Sequence, residues 1–90
     1  RSAEEWVIEL DSAFDCPDFT ISLGTEDLHD VRLERVAHQI EPGTATSLLA
    51  SSTLECLLPS NTWRRDAERL SICFDLRRGQ QSLALSASSL

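Results

Sequence analysis

The chain contains no lysine, no tyrosine and no methionine, and it holds only three glycines, three prolines and three cysteines in 90 residues. Without lysine there is no Schiff-base nucleophile and no lysine to hold a phosphate, and so few glycines make no phosphate-cradling loop. The missing tyrosines remove one class of general acid. No apolar run approaches the ~20 residues of a membrane-spanning helix. The sequence as it stands shows no signal-peptide core or arginine-rich leader. Because it begins without methionine, we read residues 1–90 as a single domain excised from a longer chain.

What is present is acidic. Fifteen Asp and Glu stand against eight Arg, for a net charge of −7. A negative chain is poorly suited to neutralising phosphates, so nucleic acid and anionic membrane surfaces are disfavoured as partners. The charge is uneven along the sequence. Residues 1–41 carry eleven acids against three arginines, for −8, while residues 42–90 carry four acids against five arginines, for +1. Hydrophobic residues at 41% and charged residues at 26% are near globular values, which argues against disorder. An odd, sparse set of three cysteines is not a secreted disulfide framework. Cys56 and Cys73 are read on the apolar phase of strand-like segments, where a cysteine behaves as a small buried hydrophobe. A reducing setting follows as the expectation, cytoplasmic or otherwise intracellular, or a virion assembled in one.

Period-two alternation dominates the pattern. Trp6, Ile8 and Leu10 alternate with Val7 and Glu9, and Phe19, Ile21 and Leu23 with Thr20 and Ser22. Leu70, Ile72, Phe74 and Leu76 alternate with Ser71, Cys73 and Asp75, and Leu83, Leu85 and Ala87 with Ser82, Ala84 and Ser86. The last two runs flank Arg77–Gln80 and predict a hairpin. Asp11–Asp18 reads as a loop, and Ser60–Glu68 as a turn with a short helical element. Residues 25–41 are ambiguous. As a helix, Thr25 caps it and Leu33, Val36, Ala37 and Ile40 share a face, but Leu28 and Val31 fall opposite. As a strand at about 30–37, Val31, Leu33 and Arg35 face one way and Val36 the other. The strand reading is preferred. Seven strands near 5–11, 19–23, 30–37, 45–50, 53–58, 70–76 and 81–87 then give a mainly β, small antiparallel sandwich-like domain. The alternative is an α+β fold with one helix at 26–40 packed on a mixed sheet.

The chemistry-bearing residues form no strong motif. Cys16 with His29 or His38 is the sole set for a cysteine hydrolase, yet Asp15 and Asp18 flank Cys16 and disfavour a thiolate. The isolated cysteines and the two histidines nine apart lack zinc-ligand spacing, so no metal and no cofactor is expected. Asp11, Asp15 and Asp18 crowd one loop without the calcium-loop spacing, which reads as a solvated acidic loop or as a docking point for a basic surface. Trp63, Arg64 and Arg65 are of the types enriched in interface hot spots, the other reading being a Trp that closes one end of the core while its Arg neighbours pair with Asp66, Glu68 or the acidic half. If Gln81–Ala87 lies at a sheet edge, that C-terminal strand edge has no charged residue to guard it and is open to self-association.

The strand pattern, with Trp6 near the start and Thr53–Leu58 followed by Leu70–Leu76, resembles the CS-domain co-chaperone sandwich. The series Phe19–Leu23, Val31–Val36 and Ile40–Pro42 resembles strands of small viral capsid or tail proteins. Alternation of this kind is common to β-sandwiches, and no site residue is carried over from either. The sequence therefore predicts a non-catalytic protein-interaction or assembly domain. It would use an acidic face with Asp11, Asp15 and Asp18, together with Trp63, Arg64, Arg65 and a strand edge. A structural protein of a virion or other symmetric self-assembly is the alternative, and a hydrolase using Cys16 ranks last.

Overall fold

A computed structural model of the chain describes residues 3–28, 30–40, 45–51, 58–66 and 68–89. The strands are β1 (Ala3–Ser12), β2 (Cys16–Gly24), β3 (Val31–Ile40), β4 (Ala45–Ala50), β5 (Thr62–Arg65), β6 (Arg69–Leu76) and β7 (Gly79–Ser89). They form one sheet in the order β1-β7-β3-β4-β5-β6-β2. All neighbours are antiparallel except β4 and β5, which run parallel. The domain is mainly β, as the alternation predicts, but its strands make a single curled mixed sheet. The predicted strand at 53–58 lies outside the described residues, apart from Leu58.

The ambiguous stretch is a strand, and the helix at 26–40 does not form. Only Glu26–Leu28 is helical, as one 3-10 turn. The break in phase that made the segment hard to read is absorbed by a bulge. The register of β3 against β7 shifts between Leu33 and Arg35, so Glu34 is the extra residue. Val31 and Leu33 before the bulge and Val36 and His38 after it are then all buried. The loop at 11–18 is shorter than expected, because β1 continues to Ser12 and β2 begins at Cys16. Thr62–Arg65, expected within a helical turn, is strand β5, bonded between β4 and β6.

The expected hairpin of β6 and β7 is also absent. β6 pairs with β2 and β5, and β7 pairs with β1 and β3. The chain between them turns across the core as an arch, which lets the two leucine-rich rows face one another instead of lying side by side. Leu70, Ile72, Phe74 and Leu83 are all fully buried as a result. Gln81 holds the arch. Its Oε1 accepts from the Arg77 N–H at 2.9 Å, and its Nε2 donates to the carbonyls of Arg77 and Gly79. Gly79 has φ +100°, a conformation that glycine adopts without steric cost. With the Gln81 amide oriented this way, its Oε1 also accepts a hydrogen bond from His38 Nε2–H at 2.8 Å. The His38 ring lies 4.6 Å from that of Phe74, joining β3 to β6 across the fold. Those strands are three places apart in the sheet, so their contact requires the sheet to curl onto itself.

Burial falls toward the two ends of the sheet. Inward residues of the interior strands, such as Val36, Leu83, Leu85 and Ile72, are buried. Those of the edge strands, Trp6, Ile8 and Leu10 on β1 and Phe19, Ile21 and Leu23 on β2, are half-buried against them. Phe19 meets Phe74 edge to face, with ring centroids 6.0 Å apart. In the β5–β6 connection, Asp66 Oδ1 accepts from the N–H groups of Glu68 and Arg69 at 2.9 and 2.8 Å. These backbone bonds, aided by Arg64 and Arg69, hold its carboxyl below the ordinary value of 3.8.

Arg65 closes one end of the core. It faces inward opposite Leu70, and its guanidinium donates to the Val31 carbonyl at 2.5 Å and to the Leu28 carbonyl. It thus ties β5 to the chain entering β3. Hydrogen bonds from a charged group are worth about 1.5–3 kcal/mol. Arg65→Met, which keeps the stem and removes the donors, is expected to lower stability by about that amount in urea denaturation. An unchanged midpoint would show that the two carbonyls do not depend on Arg65.

Candidate interaction surface

The acidic character of the first half of the chain becomes a surface through the alternation of β1. Trp6, Ile8 and Leu10 take the inward face, so Glu5, Val7, Glu9 and Asp11 take the outward one, and all four are exposed. Their neighbours across the β1–β7 register are Ser86, Ala84, Ser82 and Gln80, all uncharged. The next strand adds Arg35 opposite Ser86, Ala37 opposite Ala84 and Gln39 opposite Ser82. Arg35 is turned toward β4, where its Nε donates to Ser47 Oγ at 2.8 Å. Glu5, Glu9 and Asp11 have no hydrogen-bonded or ion-paired partner among the described residues. Val7, at 56% exposed, sits between the two glutamates. A depression of about 500 Å³ lies beside them, lined in part by Glu9, Asp11, Gln39 and Ser82.

The three aspartates predicted as a cluster do separate work. Asp11 stands on this outward face. Asp15, in the connection from β1 to β2, has its Oδ1 2.8 Å from the Arg78 N–H, which joins the β1–β2 and β6–β7 connections at one end of the fold. Asp18 lies on β2 with φ +54°, and its N–H donates to Asp75 Oδ1 at 3.1 Å. Among the described residues no group of three or more His, Cys, Asp and Glu is arranged to hold a metal ion.

Trp63, Arg64 and Arg65 do not share a face either, because successive residues of a strand point to opposite sides. Trp63 is 7% exposed and belongs to the core, and Arg65 is committed to the carbonyls described above. Only Arg64 faces outward, beside a depression lined also by Thr20, Ser71 and Cys73. Cys73 is buried, as expected, although it points away from the leucines and Phe74. Cys16 is half-buried, and neither thiol is in a disulfide among the described residues. His38 is buried and bonded to Gln81 rather than to Cys16, and His29 lies outside the described residues.

The C-terminal strand offers no edge. β7 is bonded to β1 on one side and β3 on the other, over Gln81–Ser88 on both. That strand therefore presents no edge for self-association, and among the described residues the outermost strands of the sheet are β1 and β2. Glu5 and Glu9 belong to no motif, and residue type alone does not mark them as part of this face. The signal was present in the alternation of EWVIELD, once Trp6 is taken as the inward phase. No described helix is long and apolar enough to cross a membrane. Comparison of the chain with protein-family models, with curated proteins and with solved structures found no match.

The division of labour among the acids predicts unequal responses to charge reversal. Asp11→Lys should leave stability within about 0.5 kcal/mol, as for other surface changes. Asp15→Lys should lower it by about 1 kcal/mol through loss of the bond to Arg78. Thermal and urea unfolding of the two variants would decide it, and equal effects would contradict the assignment.

Proposed function

We propose that this chain is a non-catalytic protein-interaction or assembly domain, and that its contact surface is the acidic outward face of β1. The observation that carries this reading is the exposure of Glu5, Glu9 and Asp11 in one row beside neutral neighbours, with no partner among the described residues. Charges that stabilise the fold are usually paired within it. A row of one sign left open to water instead raises the rate and selectivity of encounter with a surface of the opposite sign. The partner is accordingly a protein with a basic surface, and the same negative row disfavours nucleic acid and anionic membranes. Unpaired thiols at Cys16 and Cys73 suit a reducing, intracellular setting.

The test is charge reversal at Glu5, Glu9 and Asp11, each to Lys, against a control variant Asp18→Asn. Proteins crosslinked to the chain would be compared across a salt series. The triple variant should lose the specifically crosslinked partner, and the control should retain it with binding that weakens as salt rises. A partner held with the same affinity and salt dependence by the triple variant would overturn the acidic-face reading.

A further inference from the structure

The two edges of the sheet differ in how far they are protected from another strand. A free edge turns alternate N–H and C=O groups to solvent and invites pairing, and proteins blunt such edges with proline, bulges or awkward charges. The β2 edge has these devices near its start. Pro17 lacks an N–H, Asp18 is left-handed, and the register against β6 shifts between Cys16 and Phe19. The β1 edge has no proline and no bulge, only the carboxylates of its outward row. Ala3–Ser12 pairs with β7 through ten consecutive residues without a shift, and contains neither proline nor glycine.

The side chains of β1 say what the edge accepts. Antiparallel pairing with a second copy, centred on Val7, sets Glu5 opposite Glu9 twice. Like charges placed directly opposite destabilise a sheet, so the row guards against self-pairing. The same row favours a strand with Lys or Arg at the outward positions. On the inward side Trp6, Ile8 and Leu10 are only half-buried, while Leu85 and Leu83 beside Trp6 and Ile8 are 2% and 0% exposed. Apolar side chains on an added strand would cover what β1 leaves open.

We propose that the free edge of β1 takes up, by strand addition, an extended segment of a partner protein in which basic residues alternate with apolar ones. Main-chain bonds to β1 supply affinity, the outward carboxylates select the basic positions, and Trp6, Ile8 and Leu10 select the apolar ones. This rests on the acidic-face reading above and adds to it the conformation and pattern of the partner.

The experiment titrates the intact chain with a synthetic peptide alternating valine and lysine along the length of β1, followed by amide chemical shifts. Three further peptides accompany it. One has glutamate in place of lysine, one is N-methylated on the main chain at every valine, and one at every lysine. The unmodified peptide should shift amides of Ala3–Ser12 and spare those of β2. Replacing lysine by glutamate should weaken binding by about tenfold or more. One methylation phase should do the same and the other should not, because only alternate N–H groups of an added strand face β1. Equal binding of both methylated peptides would overturn strand addition and leave the acidic face standing. Equal binding of the lysine and glutamate peptides would overturn the acidic face as well. Shifts confined to β2, or no binding by the lysine peptide, would overturn the assignment to β1.

Discussion

The arch between β6 and β7 is the constraint on which the rest of this fold depends. Two successive strands with the same apolar phase can pair as a hairpin or stack across a core. Here they stack, and Gln81 makes this stable by meeting the polar groups of the turn from inside. A buried amide is costly unless it is bonded, and this one serves Arg77, Gly79 and His38 together. Once β7 is carried across the core, it pairs with β1 and β3 and becomes a central strand. The Phe74–His38 contact then closes the curl of the sheet.

The position of β7 also determines which surface is free. With the C-terminal strand enclosed, the sheet ends at β1 and β2, and the densest acidic segment of the sequence lies on one of those ends. Among the described residues no arginine is bonded to Glu5, Glu9 or Asp11. Arg65 is bound to carbonyls, Arg35 to Ser47 and Arg69 to Ser22. Charge asymmetry along the chain thus persists as asymmetry on the molecule, and the open carboxylates sit where the backbone is also open. In the proposed contact, electrostatic attraction and main-chain pairing would act at one place.

Much of the strand content was legible, because a period-two pattern directly reflects one face in the core and one outside. Phe19–Leu23, Leu70–Leu76 and Gln81–Ala87 all lie within strands at the predicted phase. The helix alternative at 26–40 arose because a bulge at Glu34 scrambles the alternation, and one sequence does not mark where an extra residue is inserted. The false hairpin has a different origin. A glycine between two alternating runs specifies a change of direction but not whether the second strand pairs or stacks, and that choice is made by Gln81 and by distant partners. For the surface, residue type misled where strand parity would have served. Trp63 and Arg65 resemble hot-spot residues but face inward, whereas Glu5 and Glu9 were legible from the phase of Trp6.

Amide hydrogen exchange resolved by residue tests the central placement of the strands most directly. If β7 lies between β1 and β3, amides throughout Gln81–Ser88 are bonded on one side or the other and exchange slowly. Along β1, alternate amides face solvent and exchange rapidly, so protection there follows a period of two. Continuous protection of β1 with alternating protection of β7 would instead put the C-terminal strand at the edge, and would contradict both the arch and the open acidic edge built on it.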